Sequence, residues 1–302
     1  MSLTDRVIQD AIGRVDPGRL WRTLERHARV RHHETSPEAL AATAATVAEM
    51  FRAAGATVRC EAVAFEAAQA WNVIGRWGAV REAPLIIGAH YDTVPGSHGA
   101  DDNASGLAVL SEIAAVVAAL KLVRPVELIA FAFEECGLCG SRAYVARRRK
   151  EPLYGMVALE CVGYANRRPG SQAEPPGLPL RLLDCGDFLG VVANTSAVAL
   201  ARRFQAAARR VGLAFVTLEV PAAGALLPDT RRSDHAPFWG RGFAGADADR
   251  YRRLSQPALP SGIRPPGDAR PRIPDPRRAR YGRVHVFCGV RLSRGIVAAA
   301  GG

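Results

Sequence analysis

The 302-residue sequence predicts an α/β fold: a three-layer sandwich with a mostly parallel central mixed sheet flanked by helices. Three observations point there. Short apolar segments of strand length recur along the chain, and amphipathic runs with a 3–4 residue apolar spacing fall between them. The chain is also long enough, at 48% hydrophobic and 23% charged residues, to bury a substantial core.

Taken in order, residues 1–66 read as helical, with Pro37-Glu38 opening an Ala-rich run to about Ala54. Strand-like segments follow at 71–77, 84–89, 126–133 and 156–162. Between the second and third of these, residues 103–120 carry Leu107, Leu110, Ile113, Val117 and Leu120 at helical spacing. That pattern predicts an amphipathic helix with Asp102 or Asn103 near its N-cap. Residues 141–149 and 189–211 read as helices, 215–220 as a strand, and the Pro/Gly-rich 167–179 as a long loop. Trp71 and Trp77 bracket a strand and are expected in the core, whereas His32-His33 sits in a charged stretch and is expected at the surface.

No apolar run of about 18 residues exists, which excludes a membrane-spanning helix. The first residues lead into no apolar h-region, and six cysteines in a chain this long do not make a disulfide scaffold. A cytoplasmic enzyme is the expectation. The net charge of +11 is unevenly placed: residues 245–302 hold 12 Arg, no Lys and 4 Asp, so the first 244 residues carry only +3. The tail lacks interleaved aromatics, so neither a nucleic-acid partner nor a membrane partner is expected.

Chemistry-bearing residues cluster where apolar segments end, which in such sheets is where ligands bind. His90-Tyr91-Asp92 follows one segment, and Asp101-Asp102-Asn103-Ala104-Ser105-Gly106 opens the long helix. Glu134-Glu135 follows the next segment, Glu160 ends another, and Ser233-Asp234-His235 lies far downstream. Carboxylates directly after buried strands are costly to leave unpaired, and a shared cation resolves that cost for several at once. Two His with three carboxylates suit zinc. Asp92, two residues from His90, suits a partner that accepts the imidazole N–H and fixes its tautomer. Asp234 reads as solvent-facing, Cys161 as a small buried hydrophobe, and Cys136-x-x-Cys139, without a second pair, as no closed zinc site.

HYDTVPGSHGADDNASG, FEEC, LECVGY and SDHAPFW together resemble the co-catalytic di-zinc aminopeptidase family, over roughly residues 25–243. The wider superfamily includes bacterial leucyl aminopeptidases, glutamate carboxypeptidase II and glutaminyl cyclases. The resemblance implies a zinc-exopeptidase-like fold, two Zn2+ ions, a peptide substrate and removal of N-terminal residues through a metal-bound hydroxide. It implies His90, Asp102, Glu135, Glu160 and His235 as metal ligands, with Asp102 bridging both ions, and Glu134 as general base; Asp92 is counted with Glu134 among the catalytic residues through its hold on His90. Glu160 stands where the family usually has Asp, one methylene shorter. The di-zinc amidohydrolases and carboxypeptidases also use H-x-D and EE, but usually with a G-R-G-x-x-D sequence absent here. A cyclase-like activity and an inactive remnant of the family are the other readings.

After residue 243 the family's strand, Y-H-x-x-x-D-like loop and C-terminal helix are not visible. Codons for residues 246–271, read one base later, are compatible with LMLTDTADFRNPHYHPASDRPETLD, which looks like that continuation. The chain is therefore divided into a zinc peptidase domain at 1–243, lacking its last strand and C-terminal helix, and an Arg/Pro/Gly-rich tail at 244–302. The tail is read as disordered or out of frame, and the 38 Arg against two Lys suit a GC-rich gene.

Overall fold

The computed structural model describes residues 3–79, 82–148, 151–172 and 183–249. The chain runs α1 (Leu3–Gly13), α2 (Pro17–His27), α3 (Pro37–Ala53), β1 (Thr57–Phe65), β2 (Ala68–Trp77) and β3 (Leu85–His90). It continues through α4 (Gly106–Val117), β4 (Val126–Phe131), α5 (Cys139–Arg147), β5 (Gly155–Glu160), β6 (Leu189–Asn194), α6 (Val198–Arg210), β7 (Phe215–Val220), α7 (Ala236–Gly240) and β8 (Gly245–Asp249). The eight strands form one sheet in the order β1-β2-β4-β3-β5-β8-β6-β7. Its centre, β4-β3-β5-β8, is parallel, β6 pairs antiparallel with β8, and β1-β2 joins as an antiparallel hairpin.

Every residue of β3, β4 and β5 is buried. That is why these strands read as unbroken apolar runs, as strands covered on both faces do. One apolar layer unites Val47 and Phe51 of α3, Leu107, Leu110 and Ile113 of α4 and Phe204 of α6 with Ile87, Leu128 and Leu159 of the sheet. On the opposite face Ile86, Ile129, Phe131 and Met156 pack with Tyr144 and Val145 of α5 and Phe238 of α7. The result is the three-layer sandwich expected. Nearly all of α4 is buried, and Glu112 within it accepts from the Asp16 N–H at 2.6 Å and Arg19 Nε at 2.8 Å, tying α2 down. No helix among the described residues is long and apolar enough to cross a membrane.

At the start of β4 the sheet buries a carboxylate and pairs it heavily. Glu127 accepts from Arg148 Nη2 at 2.8 Å, Arg76 Nη1 at 2.6 Å and the Tyr144 hydroxyl at 2.5 Å. Burial pushes its pKa up, but Arg148, the Tyr144 hydrogen bond, Arg59 and Arg76 outweigh that and hold it below 4.5.

Three segments depart from expectation. Thr57–Phe65, placed in a helical region by its sequence, is the edge strand β1. Its partner register with β2 is closed by a tight turn at Glu66, which adopts a left-handed φ of 50° without the glycine that usually marks such a turn. Residues 189–194, read as the first turns of a long helix, form the fully buried β6, and the helix begins only at Val198. A short apolar run such as Leu-Gly-Val-Val-Ala is ambiguous by periodicity, and neighbouring strands decide it. The last strand, expected to be missing after 243, is formed by β8. Ala246 and Ala248 enter the layer beneath α4 and α6, while Asp247 and Asp249 are buried on the other face. The remainder of the proposed tail, and part of the loop at 167–179, lie outside the described residues. Trp71 is 44% exposed rather than core, whereas Trp77 is buried.

Two outcomes follow. Glu127→Gln is expected to destabilise the protein by about 3–5 kcal/mol, because it leaves buried guanidinium groups without their carboxylate. Because the folded pKa is depressed, Glu127's stabilisation is present above about 4.5 and lost as pH falls through the folded value, so the variant's acid-unfolding curve should be flatter. Denaturant titration at pH 7 and pH 3 measures both. Buried carboxylates in a central strand are costly, so the double change Asp247→Met with Asp249→Thr, the residues of the offset reading, is expected to raise stability by about 1–4 kcal/mol. An unchanged or lower melting temperature would count against that reading, and sequencing the gene across codons 240–250 tests it directly.

Candidate metal centre

Parallel strands β3, β4 and β5 all end at one edge, and each delivers a ligand-type side chain there. His90 is the last residue of β3, Glu134 and Glu135 follow β4 after a short turn, and Glu160 is the last residue of β5. Asp102 arrives from the irregular turn Ala100–Ser105 that leads into α4, non-helical at Asp102 and Asn103 and called the π turn below for its Ala104 N–H to Gly99 carbonyl bond.

His90 is fully buried at the centre. Its Nε2 lies 3.1 Å from Asp102 Oδ1, 3.4 Å from Glu160 Oε1 and 3.9 Å from Glu134 Oε2, and its Nδ1 lies 3.5 Å from Asp92 Oδ1. Ligand atoms of His90, Asp102 and Glu160 all lie within 4.8 Å of one another, and so do those of His90, Glu134 and Glu135. Burial alone would depress the His90 pKa, but the charges of Glu160 and Glu134 and the hydrogen bonds to Asp102 and Asp92 raise it well above 6.5. So many carboxylates around one imidazole call for a positive charge. The nitrogen and oxygen donors are of the kinds zinc takes, so the residues fit a divalent cation.

Backbone features hold each group in place. Asp92 does more than face His90: its Oδ1 accepts from the Glu134 N–H and its Oδ2 from the Glu135 N–H, both at 3.0 Å. A single carboxylate therefore fixes the whole acidic pair, a role that the spacing to His90 does not reveal. Glu160 Oε2 accepts from the Ser233 hydroxyl at 3.0 Å, so the downstream Ser-Asp-His segment reaches the site through its serine. Asp101 Oδ1 accepts from the Gly163 and Tyr164 N–H groups, and Ser105 Oγ accepts from Val162 N–H, joining the π turn to the end of β5. Gly106 has no room for a side chain, since a Cβ there would meet Asn103 Oδ1 at 2.3 Å and the Leu159 carbonyl at 2.9 Å. Phe133 and Cys161, next to Glu134 and Glu160, adopt left-handed φ values of 56° and 46°, the kind of backbone strain that gathers at functional sites.

The structure thus brings together His90, Asp92, Asp102, Glu134, Glu135 and Glu160. His235 stands apart from both ligand groups. Its buried ring places Nε2 2.8 Å from the Thr230 carbonyl and Nδ1 3.7 Å from Asp247 Oδ2, and packs edge-on against Trp239. Burial pushes its pKa down to about 4, keeping the ring neutral. Asp234, read as solvent-facing, is in fact buried, and desolvation raises its pKa to about 7. Cys161 is buried as expected, and its thiol lies 3.4 Å from Glu160 Oε1. His32 is likewise buried rather than at the surface, its Nδ1 accepting from the Glu34 and Thr35 N–H groups. Cys136 and Cys139 are free thiols, half-buried.

Comparison with known proteins agrees with this architecture. The model of Peptidase family M28 matches residues 72–281, running past residue 243. The uncharacterized protein YfbL of Escherichia coli is 31% identical over 208 residues, 64% of this chain and 63% of YfbL's length. The crystal structure of the Legionella pneumophila LapA aminopeptidase shares the fold with a TM-score of 0.70 at 19% identity, covering 98% of this chain and 74% of that one. The structure of BSAP, a zinc aminopeptidase from Bacillus subtilis, matches with a TM-score of 0.50 at 22% identity, over 78% of this chain and 50% of that one. With the family model spanning more than two thirds of its residues, the chain belongs to Peptidase family M28.

Proposed function

We propose that the protein is a zinc-dependent exopeptidase that removes N-terminal residues from peptides. The observation that carries this reading is the convergence of the half-buried Asp102 and the buried Glu134 and Glu160 on the buried His90 ring, with Glu135 beside Glu134. Two zinc ions are proposed, held by His90, Asp102, Glu135, Glu160 and His235. The last would join only if its ring turned from the Thr230 carbonyl. Zinc, when bound, would supply a Lewis acid for the scissile carbonyl and lower the pKa of water.

The chain's own groups supply the proton handling. Glu134 is buried, and its backbone N–H is anchored by Asp92, so its carboxylate is aimed at the same space as the His90 ring. In that position it takes a proton from the attacking water and returns it to the leaving amine, the work of a general base and then acid. Glu135, on the same anchored backbone and half-buried, is assigned the role of a ligand. Asp92 holds both carboxylates in register and contacts the His90 ring from the side away from Asp102.

The choice of N-terminal cleavage is supported by the aminopeptidase relatives that share the fold. The same architecture serves glutaminyl cyclases in the wider superfamily, so substrates decide. With a panel of amino-acyl, N-blocked and N-terminal glutaminyl peptides, release of the first residue from unblocked peptides is expected, and loss of activity on chelation with recovery on adding zinc. Ring closure of glutaminyl peptides without hydrolysis would replace this reading with the cyclase one, and a purified protein that takes up no zinc would mark an inactive family member. Glu134→Gln is expected to keep its bound zinc and lower kcat by about 100- to 10,000-fold. Retained zinc with retained hydrolysis would sink the general-base assignment.

A further inference from the structure

One buried cation near the centre has no part in the roles assigned above. Arg31 lies in the segment between α2 and α3 and is fully buried. Its guanidinium is surrounded by backbone carbonyls. Nε donates to the Tyr91 carbonyl at 2.7 Å, Nη1 to the carbonyls of Arg29 at 2.7 Å, His98 at 3.2 Å and His27, and Nη2 to the Gly99 carbonyl at 3.2 Å. Its backbone is tied to the same place: Arg31 N–H donates to Thr93 Oγ1 at 3.0 Å and Thr93 N–H donates to the Arg31 carbonyl at 3.1 Å.

The identity of these acceptors matters. Tyr91 sits between His90 and Asp92, the ring at the centre and the carboxylate that anchors Glu134 and Glu135. Gly99 immediately precedes the π turn, and its carbonyl also accepts from Ala104 N–H at 2.9 Å, the bond that closes the turn around Asp102. Gly99 has a left-handed φ of 53°, and a Cβ there would meet Thr93 Cγ2 at 2.4 Å, the Asp102 carbonyl at 2.5 Å and Arg31 Nη2 at 2.8 Å. The turn is therefore seated directly on the guanidinium. Burial pushes the Arg31 pKa down to about 10, while Asp92 and Asp102 push it back up, so it remains a cation beside the acidic cluster.

We propose that Arg31 is a positioning residue of the metal centre: its planar guanidinium holds the end of β3 and the π turn at the separation that brings His90 and Asp102 to 3.1 Å. This deepens the zinc reading and rests on it. A lysine would keep the charge, but its three donors radiate from one nitrogen and cannot span carbonyls on opposite sides of a planar fork. Geometry and charge can therefore be separated by experiment.

The test compares wild type, Arg31→Lys and Arg31→Met for zinc affinity in competition with a chelator, kcat and KM, and amide exchange in the metal-free protein. Both variants are expected to bind zinc about 10- to 100-fold more weakly and to lose a similar factor in kcat, with KM within about twofold. In metal-free protein the Thr93 and Ala104 amides should exchange at least tenfold faster, while amides within β4 and β5 stay unchanged. Thr93→Val removes one acceptor while keeping the shape. It should show the same pattern at smaller amplitude, and it serves if the Arg31 variants do not fold. Full zinc affinity and wild-type exchange in Arg31→Lys would overturn the proposal, since charge alone would then suffice. If wild type itself takes up no zinc, the functional reading fails, and amide exchange alone judges the clamp: faster exchange confined to Thr93 and Ala104 supports it, and uniform or unchanged exchange refutes it.

Discussion

Mutual repulsion among buried and half-buried carboxylates is the constraint around which this molecule is arranged. Asp92, Asp102, Glu134 and Glu160 all approach the single imidazole of His90 within 4 Å, in a region from which the sheet and its helices exclude most water. Like charges at such distances are unfavourable unless donors or cations offset them. The fold supplies donors piecemeal: backbone N–H groups for Asp92 and Asp101, the Ser233 hydroxyl for Glu160, and the Arg31 guanidinium, whose charge acts on Asp92 and Asp102. Four carboxylates still face the one His90 ring, an arrangement that the proposed zinc ions would suit.

The two ends of β4 give contrasting solutions to the same problem. At its start, Glu127 is enclosed by Arg76, Arg148 and Tyr144, with Arg59 nearby, and its charge is satisfied by protein groups alone. Beyond its other end, Glu134 and Glu135 are held by their backbone and leave their carboxylates directed towards His90. The first arrangement builds a rigid layer between β4, β2 and α5. The second gathers acidic groups around His90, and it depends on the first because the sheet must not slip if three strand ends are to meet.

How far the sequence could be read varied with how local the signal was. Apolar runs at β3, β4 and β5, and the helical spacing of α4, were legible because burial on both faces leaves no polar alternation to confuse them. Edge strand β1 was not, since Arg59 and Glu61 interrupt it and its turn at Glu66 carries no glycine. In β6, valines precede a true helix and blend into its pattern. After Gly245, the residues of β8 alternate Ala with Asp, a composition no propensity argument assigns to the middle of a sheet, and only the gap between β5 and β6 makes them a strand.

By itself the sequence determined the chemistry available: which side chains could hold a cation, and that they follow strand ends, because residue type and spacing are local properties. Tertiary structure alone decided which of them meet. It placed Asp92 beneath the Glu134–Glu135 backbone, turned the His235 ring towards Thr230, buried Asp234 and set Arg31 under the π turn. The physical reason is that the Asp92 and Arg31 contacts join residues 43 and 68 positions apart in the chain, and that even the local His235–Thr230 contact depends on how its segment is packed. Their geometry is fixed by sheet register and by the direction of hydrogen bonds, neither of which is written in any short stretch of sequence.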